Sequence, residues 1–184
     1  MTFQEFIFNT YPGYLIQALP LSLISGAIYG IVKYRHDSTT ALYRKIGGVL
    51  FVMYITALVE MVLALGIIRN IWYLILYHRW EGIGISFLNF NYNFIPDFFM
   101  NFDRENLGNI IAFIPFGLLY PLANKKATWI STFGTGTLTS VLIEVIQPFL
   151  GRSFDVNDII LNAFGVFISC SVFYIIKLRL CKKQ

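Results

Sequence analysis

Apolar residues run along this chain in five long blocks separated by polar breaks. The first extends from about Tyr14 to Val32, carries Pro20 and two glycines, and stops at Lys33, Tyr34 and Arg35. The second, about Ile46 to Ile68, is interrupted only by Glu60. The third is short, Leu107 to Ala123, with Pro115 inside it and a polar start at Asn106 and Asn109. The fourth runs from about Thr128 to Gln147, where Pro148 stops it, and the fifth from about Val156 to Ile176. A hydrocarbon core about 30 Å thick needs roughly 20 apolar residues of helix. The pattern therefore predicts an all-α fold, a polytopic bundle of about five transmembrane helices. IWYLILYH, residues 71–78, is too short to span and is expected to extend the second helix or to lie in the interface.

Composition narrows this further. With 57% hydrophobic and 13% charged residues and a mean hydropathy of +0.64, the chain leaves no room for a separate soluble domain. Residues 1–184 read as a single membrane domain: a two-span stretch to 68, an aromatic extracellular or interfacial segment from 69 to 106, a three-span core from 107 to 176, and a basic tail from 177 to 184. The first 13 residues hold one charge, Glu5, and lack the basic start and small-residue cleavage site of a secretory signal, so the first span is expected to be retained.

Charge sets an expected orientation, because short loops rich in Lys and Arg stay in the cytoplasm. Lys33, Arg35, Arg44 and Lys45 flank the first loop, Lys125 and Lys126 hold the third, and Lys177, Arg179, Lys182 and Lys183 lie in the tail. The opposite side has Arg69, Arg79, Arg104 and Arg152. This predicts the N-terminus outside and the C-terminus inside, with Glu5, Glu81, Asp97, Asp103, Glu105, Asp155 and Asp158 on the outer side. The pI of about 9.1 then reflects membrane topology and does not argue for nucleic acid. Cys170 falls within the fifth span and Cys181 in the tail, so no disulfide is expected between them. The chain shows no CxxC, no phosphate-binding glycine loop and no nucleophile elbow.

The candidate chemistry lies in IEVIQPFLGRSFDVNDIILNAFG, residues 143–165. Thr137, Ser140, Glu144 and Gln147 are spaced by three and four along the fourth helix and share a face. Asp155, Asp158, Asn162, Gly165 and Ser169 repeat that spacing on the fifth. The short connection makes these helices antiparallel neighbours, so the two polar stripes are expected to face each other near the outer surface. Arg152 is the nearest cation and can bridge two acids. Simpler roles compete: Asp155 fits a helix N-cap, Glu144 with Arg152 fits a structural ion pair, and Ser140, Thr137 and Ser169 fit small packing residues. Glu60, roughly 12 Å from the outer end of its helix, fits a group protonated or hydrogen-bonded within the bundle.

Between the second and third spans, Phe87, Phe90, Tyr92, Phe94, Phe98, Phe99 and Phe102 alternate with asparagines and acids, with a period near two at residues 89–94. Aromatic rings favour the headgroup level, so this segment reads as a cap over the outer helix ends, acting as an anchor or as a lid beside the polar cluster.

The motifs NIIAFIPFG (109–117), IEVIQ (143–147) and RSFDVNDIILNAFG (152–165) resemble the VanZ-like family, over approximately residues 86–176. The family's elements fall on Asn109, Pro115, Phe116, Gly117, Glu144, Gln147, Asp155, Asp158, Asn162 and Gly165. The resemblance implies a multi-pass plasma-membrane protein associated with reduced susceptibility to teicoplanin and related lipoglycopeptides, without an established catalytic mechanism. The expected ligand-binding residues are Asn109, Glu144, Gln147, Arg152, Asp155, Asp158 and Asn162.

Three function classes follow. A non-enzymatic factor would bind membrane lipid headgroups, a lipid-linked envelope precursor or the acyl-tailed antibiotic. A metal-assisted enzyme would use the hard oxygens of Glu144, Asp155 and Asp158 for Mg2+ or Ca2+ and act on an envelope lipid. A small proton-coupled transporter would use Glu60 and Glu144. The first is preferred, with no resident cofactor expected and a divalent cation as the exception; oligomeric state is left open.

Overall fold

The computed structural model describes residues 2–80, 82, 88, 91–100 and 102–181. Phe87, Phe90 and Glu81 of the aromatic segment, and Lys182 and Lys183 of the tail, lie outside the described residues. Seven α-helices follow one another among the described residues: α1 Phe3–Asn9, α2 Tyr11–Tyr34, α3 Leu42–Leu63, α4 Leu65–Tyr77, α5 Arg104–Ala123, α6 Trp129–Ile146 and α7 Val156–Cys181. Five stretches are long and apolar enough to cross a membrane: Tyr11–Tyr34, Leu42–Leu63, Arg104–Ala123, Trp129–Leu150 and Val156–Leu180. The chain is an all-α, multi-pass membrane protein.

Side-chain caps set the helix starts. Thr10 accepts from the Gly13 N–H at 3.1 Å to open α2, Asp103 accepts from Glu105 and Asn106 at 2.9 Å to open α5, and Thr128 accepts from Ser131 at 3.1 Å to open α6. Each satisfies backbone donors that lack an intrahelical acceptor. The same device creates an element that hydropathy did not predict: Thr2 and Glu5 form a reciprocal capping box that starts α1. Phe8 of α1 then stacks on Tyr73 of α4, ring centroids 4.1 Å apart.

The second apolar block differs from its expected extent. Helix α3 ends at Leu63, where Ala64 leaves helical geometry (φ −115°, ψ 9°), and residues 65–77 form α4 as a separate helix. Both sides of the break are apolar, so hydropathy carries no mark of it. Glu60 consequently sits three residues from its helix end, about 4.5 Å of rise, closer to the end than the roughly 12 Å expected. It is buried, and both its carboxylate oxygens lack a hydrogen-bond partner among the described residues. At the other terminus α7 continues to Cys181, so Lys177 and Arg179 of the basic tail are helical.

Contacts along the helices define their directions. Ser25 meets Thr56 at 2.8 Å while Gly30 lies against Val49, and Tyr54 donates to the Ala112 carbonyl at 2.8 Å while Gly47 lies against Leu122, so α3 runs antiparallel to both α2 and α5. Helices α5 and α7 run parallel and pack most intimately. A Cβ on Gly165 would overlap the Ile110 carbonyl oxygen, and one on Gly117 would lie 2.6 Å from the Cys170 nitrogen. These two glycines let the backbones touch, which supplies packing where lipid removes any hydrophobic drive for helices to associate. Phe113, Phe116, Ile143, Val166 and Leu58 fill the core between α3, α5, α6 and α7.

Candidate functional site

The connection between α6 and α7 builds the site. Gln147–Leu150 form a single 3-10 turn after α6, Gly151 adopts a left-handed conformation (φ 82°), and the Arg152 N–H returns to the Gln147 carbonyl at 3.1 Å. Proline at 148 is compatible with the first turn of this new helix but cannot continue the previous ladder. The chain therefore reverses within a few residues, and the two polar stripes meet in part: the Asp155 N–H reaches Glu144 and Asn162 reaches Ser140, whereas Asp158, Gly165 and Ser169 lie against α5.

Glu144 is the centre of the cluster and is 1% exposed. Its carboxylate accepts from the Asp155 backbone N–H at 3.2 Å. With the Gln147 amide turned so that its nitrogen faces Glu144, the orientation its surroundings satisfy, that nitrogen donates at 2.9 Å and 3.1 Å to the two carboxylate oxygens. One turn deeper, Asn162 donates to Ser140 Oγ at 3.0 Å, while the Asn162 Oδ1 and Thr137 Oγ1 atoms are buried without a partner among the described residues. From α5, Asn109 donates to Asp158 Oδ1 at 2.5 Å. Three helices thus contribute to one polar column.

Asp155 precedes α7 and accepts from the Asn157 N–H at 2.8 Å, the geometry of an N-cap. It also accepts from Asn93 Nδ2, at 3.2 Å and 3.3 Å to its two oxygens, so capping does not exhaust its role. Ser169 is committed to backbone carbonyls of its own helix, donating toward Gly165 at 2.8 Å and Val166 at 3.1 Å, as a packing residue would be.

Arg152 differs from the expected bridge. It is exposed, its Nη1 donates to the Val62 carbonyl of α3 at 3.2 Å, and it forms no ion pair with Glu144, Asp155 or Asp158 among the described residues. The end of α3 leaves carbonyls without intrahelical donors, and a guanidinium is a good partner for them. Arg152 remains close enough to Glu144 and Asp158 for a charge interaction with both.

The aromatic segment docks on this cluster through two asparagines that the sequence reading did not single out, Asn93 and Asn157, together with rings that it did. Tyr92–Asn93 (β1) pairs in parallel with Phe154–Asp155 (β2), a bridge two residues long. Asn157 Oδ1 accepts from the backbone N–H groups of Asp97 at 3.1 Å and Phe98 at 3.4 Å, and its Nδ2 donates to Asp97 Oδ1 at 2.7 Å. Phe94 packs on Phe154, centroids 5.3 Å apart. The alternation at residues 89–94 was the available signal for the bridge. Asn157 lay within the quoted motif but off the shared face of Asp155, Asp158 and Asn162, so the stripe argument passed over it.

The described residues bring no group of three or more His, Cys, Asp or Glu side chains together in a metal-holding arrangement. The chemistry on display is hydrogen bonding from amides to carboxylates, at one end of the bundle, under an aromatic cover.

Comparison with known proteins agrees with the motif reading. A 71-residue stretch is 34% identical to Protein VanZ of Enterococcus faecium, covering 38% of this chain and 44% of that protein; the chain spans less than half the length of this curated relative. No solved structure matches. The family described as VanZ/LLP1 matches residues 46–177, which extends the likeness from the expected 86–176 back into α3. With α5, α6 and all seven cluster residues inside that match, the chain belongs to the VanZ/LLP1 family.

Proposed function

We propose that this protein resides in a bacterial plasma membrane with its N-terminus outside and C-terminus inside, and that the α6–α7 end forms an outward-facing site. The site engages the polar part of an amphiphile, either a lipid headgroup, a lipid-linked envelope precursor or an acyl-tailed glycopeptide, and thereby lowers susceptibility to teicoplanin. The orientation rests on the ten Lys and Arg residues assigned to the opposite side. The observation that carries the reading is the docking of the aromatic segment on the polar column: Asn93 on Asp155 and Asn157 on Asp97 place aromatic rings beside carboxylates at the end of three packed helices. A polar cluster at this depth is costly to maintain, and in membrane segments such groups mark functional sites.

The test is teicoplanin susceptibility, with vancomycin as control, in a Gram-positive host that expresses wild type, Glu144→Gln, Arg152→Ala or Asp158→Asn at matched membrane levels. Selective protection by wild type that the variants lose supports the reading. Folded variants that protect as well as wild type would reduce the cluster to a structural role.

A further inference from the structure

Beside the polar column lies an apolar groove of about 750 Å3 whose lining residues are all apolar, among them Phe98, Phe99, Phe133, Leu161, Phe164 and Phe167. That volume falls in the range of about 300–1,000 Å3 typical of small-ligand pockets. We propose that this groove seats one acyl chain of a bilayer-resident amphiphile whose head carries an amine, with the amine against Asp97 next to the Phe98 wall. The inference rests on the reading of this end as an amphiphile site and names the class of amphiphile.

Both ends of the groove are built. At the cluster end, the Asn157 bonds to Asp97 and Phe98 fix Phe98 and Phe99 as a wall against α7. At the far end, Trp129 stacks on Phe133 (5.5 Å) and meets Phe167 edge-on (5.7 Å), while its indole N–H donates to Ser171 at 3.2 Å. From Asn157 to Phe167 the helix rises about 15 Å, ten residues at about 1.5 Å each. One leaflet of a core about 30 Å thick has that same depth. A groove one leaflet deep, apolar throughout and polar at its surface end, matches a lipid-like molecule lying along the bilayer normal.

Charge selects the head. Asp97, Asp155, Asp158 and the buried Glu144 gather at this end and outnumber the charge of Arg152, whose guanidinium hydrogen-bonds the Val62 carbonyl and acts on Glu144 and Asp158. Asp97 and Asp158 each give one carboxylate oxygen to an asparagine amide, leaving the second without a protein hydrogen bond among the described residues. A phosphate or pyrophosphate would meet like charge here, whereas an ammonium carries three donors and the opposite sign. A chain already dissolved in lipid gains nothing from hydrophobic transfer on entering the groove, so affinity comes from close packing against the rings and from the head.

The test uses the full chain in phosphatidylglycerol nanodiscs with two photoreactive probes that share one diazirine-bearing tail, a fatty amine and a fatty acid. We expect saturable labelling by the amine mapping to the groove, competed by unlabelled fatty amine, with the acid about five- to tenfold weaker. Asp97→Asn removes the charge while keeping the oxygen that Asn157 bonds, and should bring the two probes together. Ala163→Trp fills the groove and should abolish labelling. Labelling that no competitor saturates, or that spreads evenly over the lipid-facing helices, overturns the proposal through wild-type protein alone. Equal labelling by the acid also overturns it. Saturable groove labelling alongside full teicoplanin protection by Ala163→Trp supports the groove and removes its link to resistance.

Discussion

Glu144 separates hydrogen bonding from charge, because a neutral amide can keep most of its hydrogen bonds. In the wild type its two oxygens accept from the Asp155 N–H at 3.2 Å and from Gln147 at 2.9 Å and 3.1 Å. In Glu144→Gln an amide oxygen placed at the Oε2 position keeps both bonds to that atom, from the Asp155 N–H at 3.2 Å and from Gln147 at 2.9 Å, and only the 3.1 Å contact of Gln147 with Oε1 is lost. With that contact goes the charge assistance, about 1 kcal/mol, offset by no longer burying a carboxylate. Glu144→Leu instead leaves the Asp155 N–H and the Gln147 amide without an acceptor in a position that is 1% exposed. At about 1–3 kcal/mol per stranded group, and toward the low end because polar contacts within membrane bundles are weak, the cost is about 2–4 kcal/mol. Two kcal/mol alone is roughly a thirtyfold rise in the unfolded-to-folded ratio. The assay is SDS titration of purified full-length variants in mild micelles, followed by far-UV circular dichroism. Glu144→Gln should unfold within about 1 kcal/mol of wild type and Glu144→Leu well before it. The reasoning fails if Glu144→Leu matches wild type, since the bonds then hold nothing. It fails equally if Glu144→Gln falls with Glu144→Leu, since the negative charge itself would then be holding the connection.

Gly165→Val drives a side chain into the Ile110 carbonyl and must push α5 from α7, at a cost of about 1–3 kcal/mol or more in the same SDS titration. Gly134→Ala, where a Cβ meets nothing within 4 Å, is the control; equal unfolding of the two would refute the close-contact argument. Asn157→Ala removes the acceptor of the Asp97 and Phe98 N–H groups, so hydrogen exchange at those two amides should quicken about ten- to a hundredfold while the α5–α7 core stays protected. Unchanged exchange would mean that the aromatic segment is held by its ring contacts alone.

Much of the architecture was legible along the chain. Helices in lipid must satisfy their own backbone and show lipid an apolar surface, so length and hydropathy suffice to find five spans. Spacing of three and four assigned Ser140, Glu144, Gln147, Asp158 and Asn162 to shared faces, and a short connection left α6 and α7 no arrangement but antiparallel contact. These are local properties, set within one or two turns of the residues concerned.

What the tertiary structure decided was every choice between partners far apart in sequence. Arg152 had several acceptors within reach of its long side chain, and the end of α3, 90 positions earlier, took it. Asn157 lay off the polar stripe, and the alternation around Asn93 named no partner; their role exists because the aromatic segment crosses back over the α6–α7 connection, separations of 60 and 62 residues. The break at Ala64 was equally silent, since apolar residues flank it on both sides and the chain turns where packing requires. The groove itself belongs to no single element: its walls come from the aromatic segment, α5, α6 and α7, and a pattern read along one helix cannot register a space that exists only between four.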